Sequence, residues 1–172
     1  MPRRSYDESI ALLLEKQWIE ESPPLLSRAP RYDDDVTGLS FFRTRLNEDD
    51  FSGLSLPRTF FGRSEIAQMK FVDTDLSESV LCWNDFIDVD FSRASLVKAD
   101  LRRAVFVNTR FVGADLSEAD LRGASFDGCD FTSANMKGAK LGQSQRLNVR
   151  LSAEQRDVIE WSFSEGDEPG GG

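Results

Sequence analysis

Large apolar residues recur at every fifth position from Phe41, through Leu46, Phe51, Leu56, Phe61, Ile66 and onward, to Phe131, Met136 and Leu141, twenty-one positions in unbroken succession. With 40% of the chain apolar, chance would give such a run about once in 10⁸ trials, so the period is built in. It matches neither the 3.6-residue turn of a helix nor the two-residue alternation of a flat strand. To keep these side chains together the chain must turn a corner every five residues.

A second regularity counts the corners. From Phe71 to Phe131 the large residues run Phe, Leu, Leu, Phe and then repeat, so four pentads, or twenty residues, make one coil. Stacked coils place Phe51, Phe71, Phe91, Phe111 and Phe131 in one ladder and Leu56, Leu76, Leu96 and Leu116 in the next. Identical side chains at strand spacing pack well. The residue two before each large one also points inward and has to be small, as Ala94, Ala99, Ala104, Thr109, Ala114, Ala119 and Ala124 are. Before Ala94 this slot has Leu54, Met69, Asn84 and Val89 among its occupants, so the first coils are expected to be less regular.

Ala99-Asp100-Leu101, Ala114-Asp115-Leu116, Ala119-Asp120-Leu121 and Ala134-Asn135-Met136 resemble the Ala-Asp/Asn-Leu core of the pentapeptide-repeat family. The resemblance implies an all-β solenoid, a right-handed quadrilateral β-helix, and the twenty-residue coil requires four sides independently. About five coils at a spacing of about 4.8 Å make a rod roughly 25 Å long. The organisation expected is an N-terminal helix and loop extension over 1–40, the β-helix over 41–143, a C-terminal cap over 144–163 and a disordered tail over 164–172.

The flanks carry helix signals. Ser5-Tyr6-Asp7-Glu8 is a capping box, and Ile10, Leu13, Leu14 and Trp18 share one face, predicting a helix from residue 6 to near 21, before Pro23-Pro24. Asp33-Asp34-Asp35 lacks the ligand spacing of a calcium loop and reads as a solvated turn. The register fails at Arg146. A second capping box, Ser152 to Gln155, predicts a short capping helix through about Trp161, with Val158 and Ile159 on one side. An end cap is needed because an open coil would expose a strand edge and its core. In some relatives, the resemblance implies, a C-terminal helix makes a two-fold dimer, so a monomer and such a homodimer are the two expected states.

Charge narrows the partners. The net charge is -9 and the pI near 4.6, which argues against direct nucleic-acid binding, since phosphate affinity comes from Lys and Arg. No apolar stretch reaches membrane-spanning or secretory length, so a cytoplasmic protein is expected. Cys82 falls on an outward slot and Cys129 on an inward one, so no disulfide is expected between them, which suits a reducing compartment.

Three positions of each pentad face water, and function has to be sought there. The side centred on Ile66, Phe86, Phe106 and Phe126 presents Glu48, Glu65, Asp85, Asp88 and Asp127 against Arg45. The next side presents Arg63, Arg102, Arg103, Arg122 and Lys140 among Asp100 and Asp120. Where the two meet, the register turns Val80, Cys82, Trp83, Ile87, Val105 and Val107 outward. This is a candidate contact patch, open to a partner or to cover by the N-terminal helix. With no His, no phosphate loop and no clustered ligands, neither catalysis nor a cofactor or metal is expected. The expected function is a non-catalytic protein-interaction module of scaffold or immunity type, with Trp83, Ile87, Val105 and Val107 binding the partner. The alternative comes from the resemblance, because some pentapeptide-repeat proteins confer fluoroquinolone resistance by binding DNA gyrase as DNA mimics. Glu65, Asp85, Asp88 and Asp127 would then stand in for phosphates.

Overall fold

The computed structural model describes residues 2–31 and 37–163. The Asp33-Asp34-Asp35 turn and the tail from Ser164 lie outside the described residues. The coil is a right-handed quadrilateral β-helix. Strands β1 (Arg45–Asn47), β2 (Glu65–Ala67), β3 (Asp85–Ile87), β4 (Val105–Val107) and β5 (Ser125–Asp127) form one five-stranded parallel sheet in chain order. Each residue pairs with the one twenty positions on, as Leu46 does with Ile66 and Phe86 with Phe106. The other three sides are ladders of single bridges with the same offset. One of them runs from Ser40 through Phe60, Val80, Asp100 and Asp120 to Lys140, and then to Glu160. That is six steps of twenty, one coil more than the periodicity alone predicts.

Twenty of the large five-spaced side chains are buried, and Phe126 alone is half-buried. The phenylalanines stack as ladders: Phe86 to Phe106 at 4.9 Å, Phe106 to Phe126 at 5.5 Å, and Phe111 to Phe131 at 4.8 Å. The first coils keep the same register as the last, against expectation. Leu54, Met69 and Val89 fit inside, and the polar occupants of the small slot are tied down. Thr74 Oγ1 donates to the Phe51 carbonyl, while Asn84 accepts from the Ser64 N–H and donates to the Leu81 carbonyl. A buried hydroxyl or amide costs little once it is bonded.

Corners follow one pattern. The second residue after most large ones sits at positive φ, for example Arg43 (53°), Trp83 (59°), Asp88 (55°) and Arg103 (57°). None of the residues at positive φ is β-branched, because a branched Cβ is least tolerated in that region. Whatever occupies such a corner has to project into solvent.

Helix α1 (Tyr6–Glu15) has the expected capping box from Ser5 and Glu8 but stops well before residue 21. Gln17 at φ 59° closes it, with N–H bonds from Trp18 to the Leu13 carbonyl and from Gln17 to the Leu14 carbonyl. This is a Schellman end, and Pro23-Pro24 plays no part in it. Ile10 and Leu13 join the buried cluster of Leu39, Phe41 and Phe51, and the Trp18 ring meets Phe51 edge-on at 5.5 Å. Arg4 N–H donates to the Gly53 carbonyl and Ser9 Oγ accepts the Ser55 N–H. These are groups that an earlier coil would have satisfied. The helix therefore closes the N-terminal end of the tube.

At the other end strand β6 (Lys140–Gly142) leads into a 3₁₀ helix (Gln143–Leu147), helix α2 (Ala153–Asp157) and strand β7 (Glu160–Ser162), which pairs with β6. Helix α2 ends before Trp161 because the chain rejoins the coil there. Ile159 is buried and Val158 exposed. Two glutamines cap the last carbonyls. Gln145 Nε2 donates to Leu121 and Ala124, and Gln155 Nε2 donates to Phe131 and Ala134. No helix of the described residues is long and apolar enough to cross a membrane.

Candidate functional site

Two sides of the coil neutralise themselves. Asp73 and Arg93 pair at 2.8 Å, Arg58 and Glu78 at 3.4 Å, and Lys98 and Glu118 at 3.7 Å, each between adjacent turns. On a third side Arg102 holds Asp100 at 2.7 Å and Arg122 holds Asp120 at 2.6 Å. Burial works to raise the Asp120 pKa, but the bonds from Arg122 outweigh it and keep the carboxyl below its usual range. The basic side expected from the sequence is thus largely paired. Reading the outward slots at a period of twenty, rather than five, reveals the pairings between turns, whereas Arg102 and Arg122 each pair with the aspartate two residues before.

The outer face of β1–β5 is different. Val105 and Val107 flank the buried Phe106 on β4, Ile87 is in register with Val107, and Asp85 is in register with Val105. Trp83 stands on the corner leading into β3, 50% exposed, with the Arg103 guanidinium 5.0 Å above its ring. Ile87 and Val105 are also exposed, and Val107 is half-buried. The four residues therefore form one apolar strip and a corner on a rigid sheet. Such strips mark contact surfaces, with tryptophan the usual anchor.

Val80 and Cys82 do not belong to the strip. Both are buried in a small cluster with Phe60, whose ring lies on the outside of the coil 5.5 Å from Phe42. Gly62 leaves the space: a Cβ there would meet the Phe60 ring at 2.8 Å. Pentad position set the direction of these residues correctly, but an aromatic ring from the coil before covers them. Helix α1, at the N-terminal end, leaves Trp83 uncovered.

Burial, with the Asp100 charge next, pushes the Cys82 thiol up to about 12. The folded state thus holds a neutral thiol that the unfolded chain ionises near pH 9. Its contribution to stability is whole below pH 9 and falls as pH rises from 9 toward 12. Denaturant titrations should show a steeper loss between pH 8 and 10.5 in the parent than in Cys82→Ala. In the folded protein at pH 8, Cys82 should resist a thiol reagent that labels it at once in urea.

The acidic residues fall around the same face. Glu65 and Asp85 are register partners, Asp127 lies on β5 opposite Val107, and Asp88 occupies the far corner. Glu65 is bonded to Arg45 at 3.2 Å, and Asp88 accepts from Asn108 at 3.1 Å. Among the described residues no group of three or more His, Cys, Asp or Glu could hold a metal ion.

Comparison with known proteins agrees with this geometry. The family model for pentapeptide repeats matches residues 85–123 and 109–144, in 8 copies. Among solved structures the chain is similar to HetL, a pentapeptide repeat protein involved in heterocyst differentiation regulation in the cyanobacterium Nostoc sp. strain PCC 7120. That match has 28% identity and a TM-score of 0.59, and it covers 61% of this chain and 44% of HetL. The chain thus spans less than half the length of HetL. A pentapeptide repeat protein from the Arabidopsis thaliana thylakoid lumen matches at 23% identity over 76% of this chain and 79% of that one, with a TM-score of 0.40. Full-length QnrB1, a plasmid-mediated fluoroquinolone resistance protein, matches at 15% identity over 74% and 85%, with a TM-score of 0.23. No curated protein matches in sequence. Period, coil and family model coincide over residues 85–144, three turns of the coil, and this part of the chain carries pentapeptide repeats.

Proposed function

We propose that this protein is a non-catalytic interaction module that binds a protein partner through the outer face of β1–β5. The observation that carries this reading is the strip of Trp83, Ile87, Val105 and Val107 on a face whose neighbours pair their own charges. A rigid sheet loses little conformational entropy on binding, so the strip need not be large to hold a partner. The cation over Trp83 fixes the ring outward at a corner where positive φ already projects it.

DNA imitation is the second reading, favoured by the clustering of Glu65, Asp85, Asp88 and Asp127 around that face. Charge density weighs against it. Six turns span roughly 29 Å, a length over which duplex DNA carries about 17 negative charges. Residues 40–160, which make those turns, carry 16 basic and 19 acidic groups, a net charge of -3. Nor is the superposition on QnrB1 close enough to lend support.

Once a partner is captured, Trp83→Ala should weaken its binding about 30-fold, as a 2 kcal/mol anchor would, with an unchanged melting temperature. Unchanged affinity would remove the strip from the interface. In a gyrase supercoiling assay with a quinolone, the protein at micromolar concentration should have no effect. Protection that disappears on reversing Asp85 and Asp88 to lysine would replace the first reading with the second.

A further inference from the structure

The C-terminal cap is incomplete, and the gap has a definite shape. Each turn bonds to the next in a fixed pattern: Asp88 N–H reaches the Val107 carbonyl, Phe91 reaches Arg110, and Arg93 reaches Val112. By that pattern the N–H groups of Phe126, Gly128, Phe131 and Ser133 would be met by carbonyls nineteen residues farther along. The chain leaves register there, in a 3₁₀ helix whose Leu147 is 94% exposed. Gln145 and Gln155 bracket the gap. Between them these four N–H groups find no acceptor among the described residues.

The core opens at the same place. From Leu54 to Leu141 every inward position is buried except Phe126 and Cys129. A cleft of about 770 Å³ runs along Gly128–Ala134 under Arg150, and a second of about 230 Å³ lies against Phe126 and Asn148.

We propose that this edge accepts an extended segment of a partner protein, which adds one more strand to the coil beyond β5. Donors at alternate positions with the Phe126 carbonyl between them match a backbone in strand conformation and little else. The segment's central side chain would land on Phe126 and continue the Phe86–Phe106–Phe126 stack, so it is aromatic or aliphatic. Beyond it, the Phe131 and Ser133 N–H groups and Arg150 together favour a carboxylate. Asp130 does not compete for them, since Thr132 holds it through both N–H and Oγ. A second copy stacked head to tail is not the occupant, because α1 closes the matching edge through Arg4 on Gly53 and Ser9 on Ser55. The site is separate from the outer face of β1–β5.

The test uses the full chain and a fluorescent eight-residue peptide copying residues 105–112, with a free C-terminal carboxylate that falls at the Ser133 N–H. Saturating peptide should slow hydrogen exchange at the amides of Phe126, Gly128, Phe131 and Ser133 at least tenfold. N-methylating the peptide nitrogen that faces the Phe126 carbonyl, or the substitution Arg150→Glu, should each lower affinity at least tenfold. Trp83→Ala should leave it unchanged, which keeps this site distinct from the one above. Exchange that ignores the peptide, or equal affinity for the N-methylated form, would overturn the proposal. Protection that appears without peptide and grows with protein concentration would assign the edge to a second copy and overturn it equally.

Discussion

Replacing Phe106 with alanine should lower the unfolding free energy by about 3–5 kcal/mol, the range for a fully enclosed phenylalanine. Its ring has no exposed surface. It is stacked against Phe86 at 4.9 Å and Phe126 at 5.5 Å, and meets Phe111 edge-on at 5.2 Å. The cavity cannot collapse, because the backbone on either side is held by the hydrogen bonds of the turns above and below. In a solenoid each turn contacts only its neighbours, so the loss at β4 weakens both of its interfaces. Asn108→Ala, two residues along and exposed, is the comparison. It loses a bond to Asp88 and places alanine at φ 50°, which costs about 1 kcal/mol. Urea denaturation of the three proteins measures both changes, and equal losses at the two sites would contradict the inward and outward assignment.

Gln145→Leu is the second large effect, and it is polar in origin. One side chain serves four backbone groups: Nε2 bonds the Leu121 and Ala124 carbonyls, and Oε1 accepts from Gly142 and Gly123. Leucine fills the volume and bonds none of them. Leaving a buried group unsatisfied costs about 1–3 kcal/mol, so a total of at least about 3 kcal/mol is expected. Gln155 repeats the arrangement at the next-but-one corner, with Oε1 on the Ser152 N–H. The two lie on separate corners with no shared partner, so the double variant should lose close to the sum. Exchange at the Gly123 amide should accelerate in Gln145→Leu and stay unchanged in Gln155→Leu. An unchanged denaturation midpoint for both would mean that the end of the coil needs no cap.

The ends show how far a linear pattern can be read. The capping boxes at Ser5 and Ser152 are local, and both form as the residues predict. Where each helix stops is another matter. Gln17 at positive φ ends α1, and the return of the chain into register at Glu160 ends α2. The loss of register at Arg146 is plain in the sequence. That two glutamines replace the missing backbone is not, because each acts on residues more than twenty positions away.

The candidate face divides in the same way. Trp83, Ile87, Val105 and Val107 point outward by pentad position, and they do. Val80 and Cys82 share that assignment yet are buried, because Phe60 folds over them from the previous coil. The acidic residues were found by counting, whereas the partners that neutralise Glu65 and Asp73 stand one turn away.

The section of the tube, its sides and the identity of its lining were therefore settled by the chain alone. A side chain that returns every five residues can be hidden from water in only one way, and the rule acts within a single coil. What covers an outward residue, which charges cancel and where the core opens are decided between coils and at the two ends. Apart from the Arg102–Asp100 and Arg122–Asp120 pairs, those contacts join residues twenty or more apart, which only the stacked turns bring within reach.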